Sequence, residues 1–213
     1  MTTRPDLHTP RGRRALIIDM ARRRQRPGTG SLLRALMEDN PVTRWPDLRE
    51  VLAPLPWGVI GAVATRLYMP ERATHDLDIM VMTSDLREAE SRLAQAGWQR
   101  EGELTVGGSS WRLPEGARLD VLACDEPWCP EALAEAESNR DQQGLPVLPL
   151  PYLVLTKLRS SRTIDLGDLP RMLGLADEVA LDRVRAVVRK YSPEDAEDLE
   201  SLIELGKLET KGA

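Results

Sequence analysis

Two aspartates, Asp76 and Asp78, stand one residue apart inside a run that is otherwise apolar: Leu77, Ile79, Met80 and Val81. If the run is a strand, its side chains alternate faces at a rise of about 3.3 Å per residue. Both carboxylates then project from one face, roughly 6–7 Å apart along the backbone. Two bare carboxylates that close repel, and burying them costs desolvation unless something positive neutralises them. A divalent cation held by oxygen ligands does so most directly. The pattern therefore calls for a strand that presents two acids to a metal ion.

The remaining ligand types are scarce. His8 and His75 are the only histidines, so a histidine-built site is nearly excluded and carboxylates are left as ligands. Cys124 and Cys129 are the only cysteines, and neither their number nor their spacing signals a zinc site or a disulfide framework. Both are expected as reduced thiols. A chain of 213 residues with 30% charged and 41% hydrophobic residues reads as globular and soluble, with room for one domain and an appendage or for two small domains. No apolar run approaches the roughly 20 residues of a membrane span. The arginine-rich N-terminus lacks the apolar core of a signal peptide, so a cytoplasmic location is expected.

The net charge of −5 conceals an asymmetry. Residues 1–30 carry eight arginines against Asp6 and Asp19, a balance of +6 that leaves −11 for the rest. A basic arm on an acidic body is a signal for nucleic-acid contact. The plainer reading is a solvated tail in an arginine-heavy chain, because only four of the 29 basic residues are lysine.

Along the chain, residues 1–12 read as disordered, and 13–24 as a short helix with Leu16, Ile17 and Met20 on one side. Ser31 opens a second helix through about Glu38, and Pro46 a third through Leu52. Trp57–Ile60 is a short buried strand, after which Gly61 turns into a small-residue helix from Ala62 to about Tyr68. Asp76–Met82 is a second strand, and Ser84 caps a helix that Gly97 stops. A hairpin with Gly107-Gly108 in its turn and a strand over Ala117–Ala123 follow. From Pro151 four helical patterns run to the end; a helix begins near Asp168 or Leu169 because Pro170 cannot sit deep inside one. The last is capped by Ser192 with Pro193 at its first turn and is ended by Gly206. The fold class predicted is α/β (α+β), a mixed β-sheet flanked by helices and followed by a helical C-terminal part. Its divisions are a basic N-terminal arm with short helices over 1–45, an α/β core over 46–148 and a helical region over 149–213.

Three features converge on one chemistry. Gly61 ends a strand and opens a helix, where free backbone N–H groups can hold a phosphate. Asp76 and Asp78 share a strand face, and Asp120 lies on a later strand between Leu119 and Val121. Three carboxylates and a phosphate-binding turn are the parts of a two-metal phosphoryl or nucleotidyl transfer site.

The order Gly61-Ala62, then Asp76-Leu77-Asp78-Ile79, then Asp120 in RLDVL resembles the DNA polymerase β-type nucleotidyltransferase superfamily. Within it the chain is most similar to small bacterial AbiEii-like nucleotidyltransferases, in which Gly-Gly-x-Ala is followed by Arg-x-Thr-x-Asp-hydrophobic-Asp. Gly61, Ala64, Arg72, Thr74, Asp76 and Asp78 stand in that order here. Lys157-Leu158 followed by Arg162, Asp165 and Asp168 looks like that group's downstream block. The resemblance covers about residues 50–175. It departs at Ala62, where the superfamily usually has Gly or Ser.

The resemblance implies an enzyme that moves an NMP group from an NTP to a hydroxyl of an acceptor. Asp76, Asp78 and Asp120 would be the catalytic carboxylates holding two Mg²⁺ ions, with Mn²⁺ as an alternative. Gly61, Ala62, Arg72, Thr74, Lys157 and Arg162 would bind the nucleotide. Arg72 and Thr74 share the parity of the two aspartates, whereas His75 lies on the opposite face. The acceptor would be RNA, tRNA included, in a toxin-like role with an antitoxin as partner, or a small molecule. The alternative is a non-catalytic nucleotide- or partner-binding protein on the same fold, which Ala62 favours.

Overall fold

A computed structural model describes residues 6–24, 44–70, 74–160 and 163–210. They fall into two compact units, one drawn from Asn40–Leu67 and Glu71–Pro149, the other from Met1–Asp39, Tyr68–Pro70 and Leu150–Ala213. The expected helix at Ser31–Glu38 lies outside the described residues, as do Arg72 and Arg162.

The first unit is built on a mixed sheet. Its strands are β1 (Trp57–Ile60), β2 (Asp76–Met82), β3 (Gln99–Glu103), β4 (Gly108–Arg112) and β5 (Arg118–Cys124), in the spatial order β1-β2-β5-β4-β3. Only β2 and β5 are parallel; the other pairs are antiparallel. As the alternation of apolar residues predicts, one face of β2 and β5 is fully buried through Leu77, Ile79, Val81, Leu119 and Val121, while Asp76, Asp78 and Asp120 are half-buried on the other. The outer side of β1 is not left open. The returning chain runs beside it, with Leu148 N–H donating to the Val59 carbonyl and Val59 N–H to that of Pro146.

Helix α4 (Leu86–Gln95) falls on the segment with helical spacing, whereas α2 (Arg49–Leu52) starts after the expected Pro46 and α3 (Gly61–Thr65) ends before the expected Tyr68. Ser84, however, does not cap α4. It sits in a 3₁₀ turn, Thr83–Asp85, and its hydroxyl donates to Asp85 Oδ1 at 3.2 Å. Helix α5 (Cys129–Ala136) was not expected from the pattern, being short; Pro130 starts it, and Ala132, Leu133 and Ala136 are buried. Cys124 and Cys129 are joined as a disulfide with Cα atoms 6.2 Å apart, contrary to the expected reduced thiols. The loop between β5 and α5 brings them together, which spacing alone does not show.

The second unit is helical: α1 (Pro10–Arg24), α6 (Leu150–Ser160), α7 (Thr163–Leu175), α8 (Glu178–Tyr191) and α9 (Ala196–Thr210). Helix α1 starts earlier than expected, and its buried side is Arg14 and Ile18 rather than the Leu16–Met20 stripe. Arg14 is only 2% exposed. It donates to Asp198 Oδ2 at 2.7 Å, to the Leu158 carbonyl at 2.5 Å and to Asp195. A buried guanidinium is tolerated because its donors are met in this way.

Two further expectations are corrected here. Pro170 lies inside α7, which begins at Thr163; on that helix Asp165 and Asp168, three residues apart, share a face and hold one ammonium, that of Lys157. Gly206 does not end α9, which continues to Thr210. Its role is close approach: a Cβ there would collide with the Pro170 carbonyl and with Gly174 on α7. No described helix is long and apolar enough to cross a membrane.

Candidate active site

Strand β2 delivers Asp76 and Asp78 to one face, and the parallel ladder with β5 sets Asp120 directly beside Asp78. On the far side Ile60, the last residue of β1, pairs with Asp78, so Gly61 follows at the edge of the same acidic cluster. The three carboxylates and the turn predicted from sequence are thus brought together by register within one unit.

Each carboxylate has a different local setting. Asp78 leans on Gly61, which has φ +65°; a Cβ there would overlap the Asp78 carboxylate. Asp120 Oδ1 accepts a hydrogen bond of 2.6 Å from the Ser110 hydroxyl on β4. Asp76 Oδ1 is buried and has no hydrogen-bond partner. An unpartnered buried carboxylate oxygen is costly, of order 1–3 kcal/mol and more when charged. Neighbouring like charges on paired strands add to that cost.

Helix α3 is short, and its value to the site lies in its first N–H groups, which have no intrahelical partners. Ala62 is buried within that turn, and its carbonyl accepts the Thr65 hydroxyl at 2.6 Å. Arg66, just past the helix, anchors it: Nε donates to Asp141 Oδ2 at 3.0 Å, while Asp141 Oδ1 accepts from the N–H groups of Gln143 and Leu145. Thr74 lies just before β2, half-buried, with its hydroxyl 3.4 Å from the Asp76 carbonyl. His75 is exposed.

Lys157 belongs to the helical unit and is 2% exposed. Its ammonium donates to Asp165 Oδ1 at 3.0 Å and Asp168 Oδ2 at 2.8 Å, and Ser160 caps the other Asp165 oxygen at 2.5 Å. The expectation that Lys157 binds the nucleotide thus meets a buried ion cluster in which Asp165 and Asp168 are its counter-ions.

The donor set suits a hard divalent cation: three carboxylates, one with an unpartnered buried oxygen. Among the described residues no three His, Cys, Asp or Glu side chains are already gathered around one point as a metal cage. The aspartates share a face, with Asp78 against Gly61, Asp120 on the Ser110 hydroxyl and Asp76 Oδ1 without a hydrogen-bond partner. Sequence reasoning missed Ser110 and Arg118, which lie beside Asp120 and Asp76 in the register. The parity of Arg118 with Asp120 was a signal for the latter; the partner of Ser110 depends on strand pairing.

No protein-family model matches the chain, and no curated protein does. Among solved structures, the antibiotic-resistance factor ANT(2'')-Ia is similar over 74% of this chain and 89% of its own, at 16% identity and a TM-score of 0.41. A CCA-adding enzyme in complex with CTP is similar over 82% of this chain and 47% of its own, at 15% identity and a TM-score of 0.34. Terminal uridylyl transferase 4 from Trypanosoma brucei with bound GTP is similar over 94% and 70%, at 12% identity and a TM-score of 0.30. These likenesses are distant, and the functional reading rests on the residues of this chain.

Proposed function

We propose that the chain is a Mg²⁺-dependent nucleotidyltransferase that moves an NMP group from an NTP to a hydroxyl of an acceptor. The observation that carries this reading is the Asp78–Asp120 pairing, with Asp76 on the same face and Gly61 at its edge. Asp76, Asp78 and Asp120 would hold the divalent ions, which supply neutralisation of the phosphate charge and activation of the attacking hydroxyl. Asp120 faces the acceptor side and would take up the hydroxyl proton. The Gly61–Ala62 turn would present backbone N–H groups to the phosphates, with Arg72 and Thr74 as further ligands.

The resemblance in the motif further suggests a cytoplasmic, AbiEii-like enzyme acting on RNA and controlled by an antitoxin. Lys157 and Arg162 belong to that same block, with the ammonium of Lys157 held as an internal strut.

The test is incubation with α-labelled NTPs, Mg²⁺ and bulk RNA or cell extract. Label is expected on an acceptor with wild type and not with Asp76→Ala; no transfer, or equal transfer by the variant, overturns the reading. A second reading, nucleotide binding without turnover, is favoured by Ala62 in the phosphate turn. Mg²⁺-dependent NTP binding by calorimetry with no transfer to any acceptor would support it.

A further inference from the structure

Strand register arranges the carboxylate face in rows. One row reads Ile60, Asp78, Asp120 and Ser110 from β1 to β4; the next reads Asp76, Arg118 and Arg112. Gly61 therefore flanks the aspartates on the β1 side, and the two arginines flank them on the β5–β4 side. If the NTP phosphates take the Gly61 side, the arginine side is left to the acceptor.

Arg118 is exposed and makes no ion pair or hydrogen bond among the described residues. It stands directly across the ladder from Asp76, yet the two do not pair, although opposite charges at such positions attract. Arg112, directly opposite Arg118 on β4, gives only its Nε–H to Glu101, at 2.5 Å. A guanidinium has five N–H donors, so most of both sets are uncommitted. Two like charges directly opposite on paired strands are unfavourable by themselves, and an anion between them converts repulsion into shared charge-assisted hydrogen bonds.

We propose that Arg118 and Arg112 form an anion subsite that receives backbone phosphates of an RNA acceptor. This rests on the reading of the three aspartates as the transfer site. Arg118 is two residues from Asp120, about 6–7 Å along the strand. That spacing suits a phosphodiester next to the hydroxyl that Asp120 faces. Two arginines opposite one another in register beside the aspartates suit a run of phosphates, and a cationic small-molecule acceptor would be repelled by them.

The experiment uses the full-length protein, a fluorescently labelled single-stranded RNA of about 12 nucleotides, Mg²⁺ and no NTP, with anisotropy read across a salt series. For wild type, log K is expected to fall linearly with log salt. Arg118→Ala and Arg112→Ala should each reduce the magnitude of that slope by about 0.7, and Arg118→Glu should weaken binding roughly tenfold or more near physiological salt. Arg87→Glu, at an exposed position on α4, is the control and should leave the affinity nearly unchanged. Unchanged affinity and slope in the Arg118 and Arg112 variants overturn the subsite. So does equal weakening by Arg87→Glu, which would make the effect one of net charge, and so does an absence of RNA binding by wild type. Because no NTP is present, this result is independent of whether label transfer succeeds.

Discussion

Gly61 and the carboxylate of Asp78 occupy adjoining space so closely that a methyl group on the Gly61 Cα would overlap Oδ2. The backbone there has φ +65°, in the left-handed region that costs an L side chain about 1–2 kcal/mol. Gly61→Ala therefore carries two penalties, strain in the turn and displacement of Asp78. A stability loss of about 1–3 kcal/mol and at least a tenfold fall in label transfer are expected, measured by denaturation and by the α-labelled NTP assay. Gly61→Ala combined with Asp78→Ala should lose less stability than the two changes added together, because the collision is gone. Strict additivity would contradict the contact.

Asp76 links stability to function with opposite signs. Its Oδ1 is buried without a hydrogen-bond partner, which is a cost to the fold. Asp76→Ala is expected to raise the melting temperature or leave it unchanged while abolishing transfer. Saturating Mg²⁺ should raise the wild-type midpoint; at about 100 times the dissociation constant, binding to the native state alone contributes roughly 2.7 kcal/mol. Asp76→Ala and Asp120→Ala should respond weakly. A Mg²⁺ shift of equal size in all three proteins would dissociate the ion from these residues.

The parts of this site that could be read from sequence are those governed by local alternation. Asp76–Met82 was legible because Leu77, Ile79 and Val81 alternate with the acids, and the fully buried face follows from that period. The hairpin was legible from Gly107-Gly108: Gly107 stands between the strands and Gly108 opens β4, both with positive φ. What alternation cannot give is register. That Asp78 meets Asp120 rather than a residue two positions away depends on pairing across about 40 residues of chain, which no window of sequence encodes. Charge also misleads where it is buried. Arg14 looked like one arginine of a solvated arm, and it is a core residue because Asp195, Asp198 and the Leu158 carbonyl, all distant in sequence, satisfy it.

Lys157 offers a test of the helical unit on its own. With Asp165 and Asp168 left behind, Lys157→Met takes away the ammonium that both buried carboxylates accept from. A loss of about 3–5 kcal/mol is expected by urea denaturation. Changing all three to apolar residues of similar volume should recover much of it, since an intact buried ion cluster is close to neutral against a well-packed apolar one. If Lys157→Met is as stable as wild type, the triad does not hold these helices in solution.

Gly206 and Gly174 make a second constraint in the same unit. A Cβ on Gly206 would meet the Pro170 carbonyl and the Gly174 backbone, and these are main-chain atoms that cannot rotate aside. Pro170 has no N–H to give its own helix, so α7 is already short of one hydrogen bond at the crossing, and its carbonyls there are close to α9. Gly206→Ala gains helix propensity of about 0.8–1.0 kcal/mol, since Ala is favoured over Gly in a helix interior. Overpacking against backbone costs more, typically 1–3 kcal/mol. The net expectation is destabilisation despite the better helix former, read as a lower midpoint in thermal unfolding. Gly167→Ala, on the same helix pair but with open space around its Cα, should be neutral or stabilising and so separates packing from propensity.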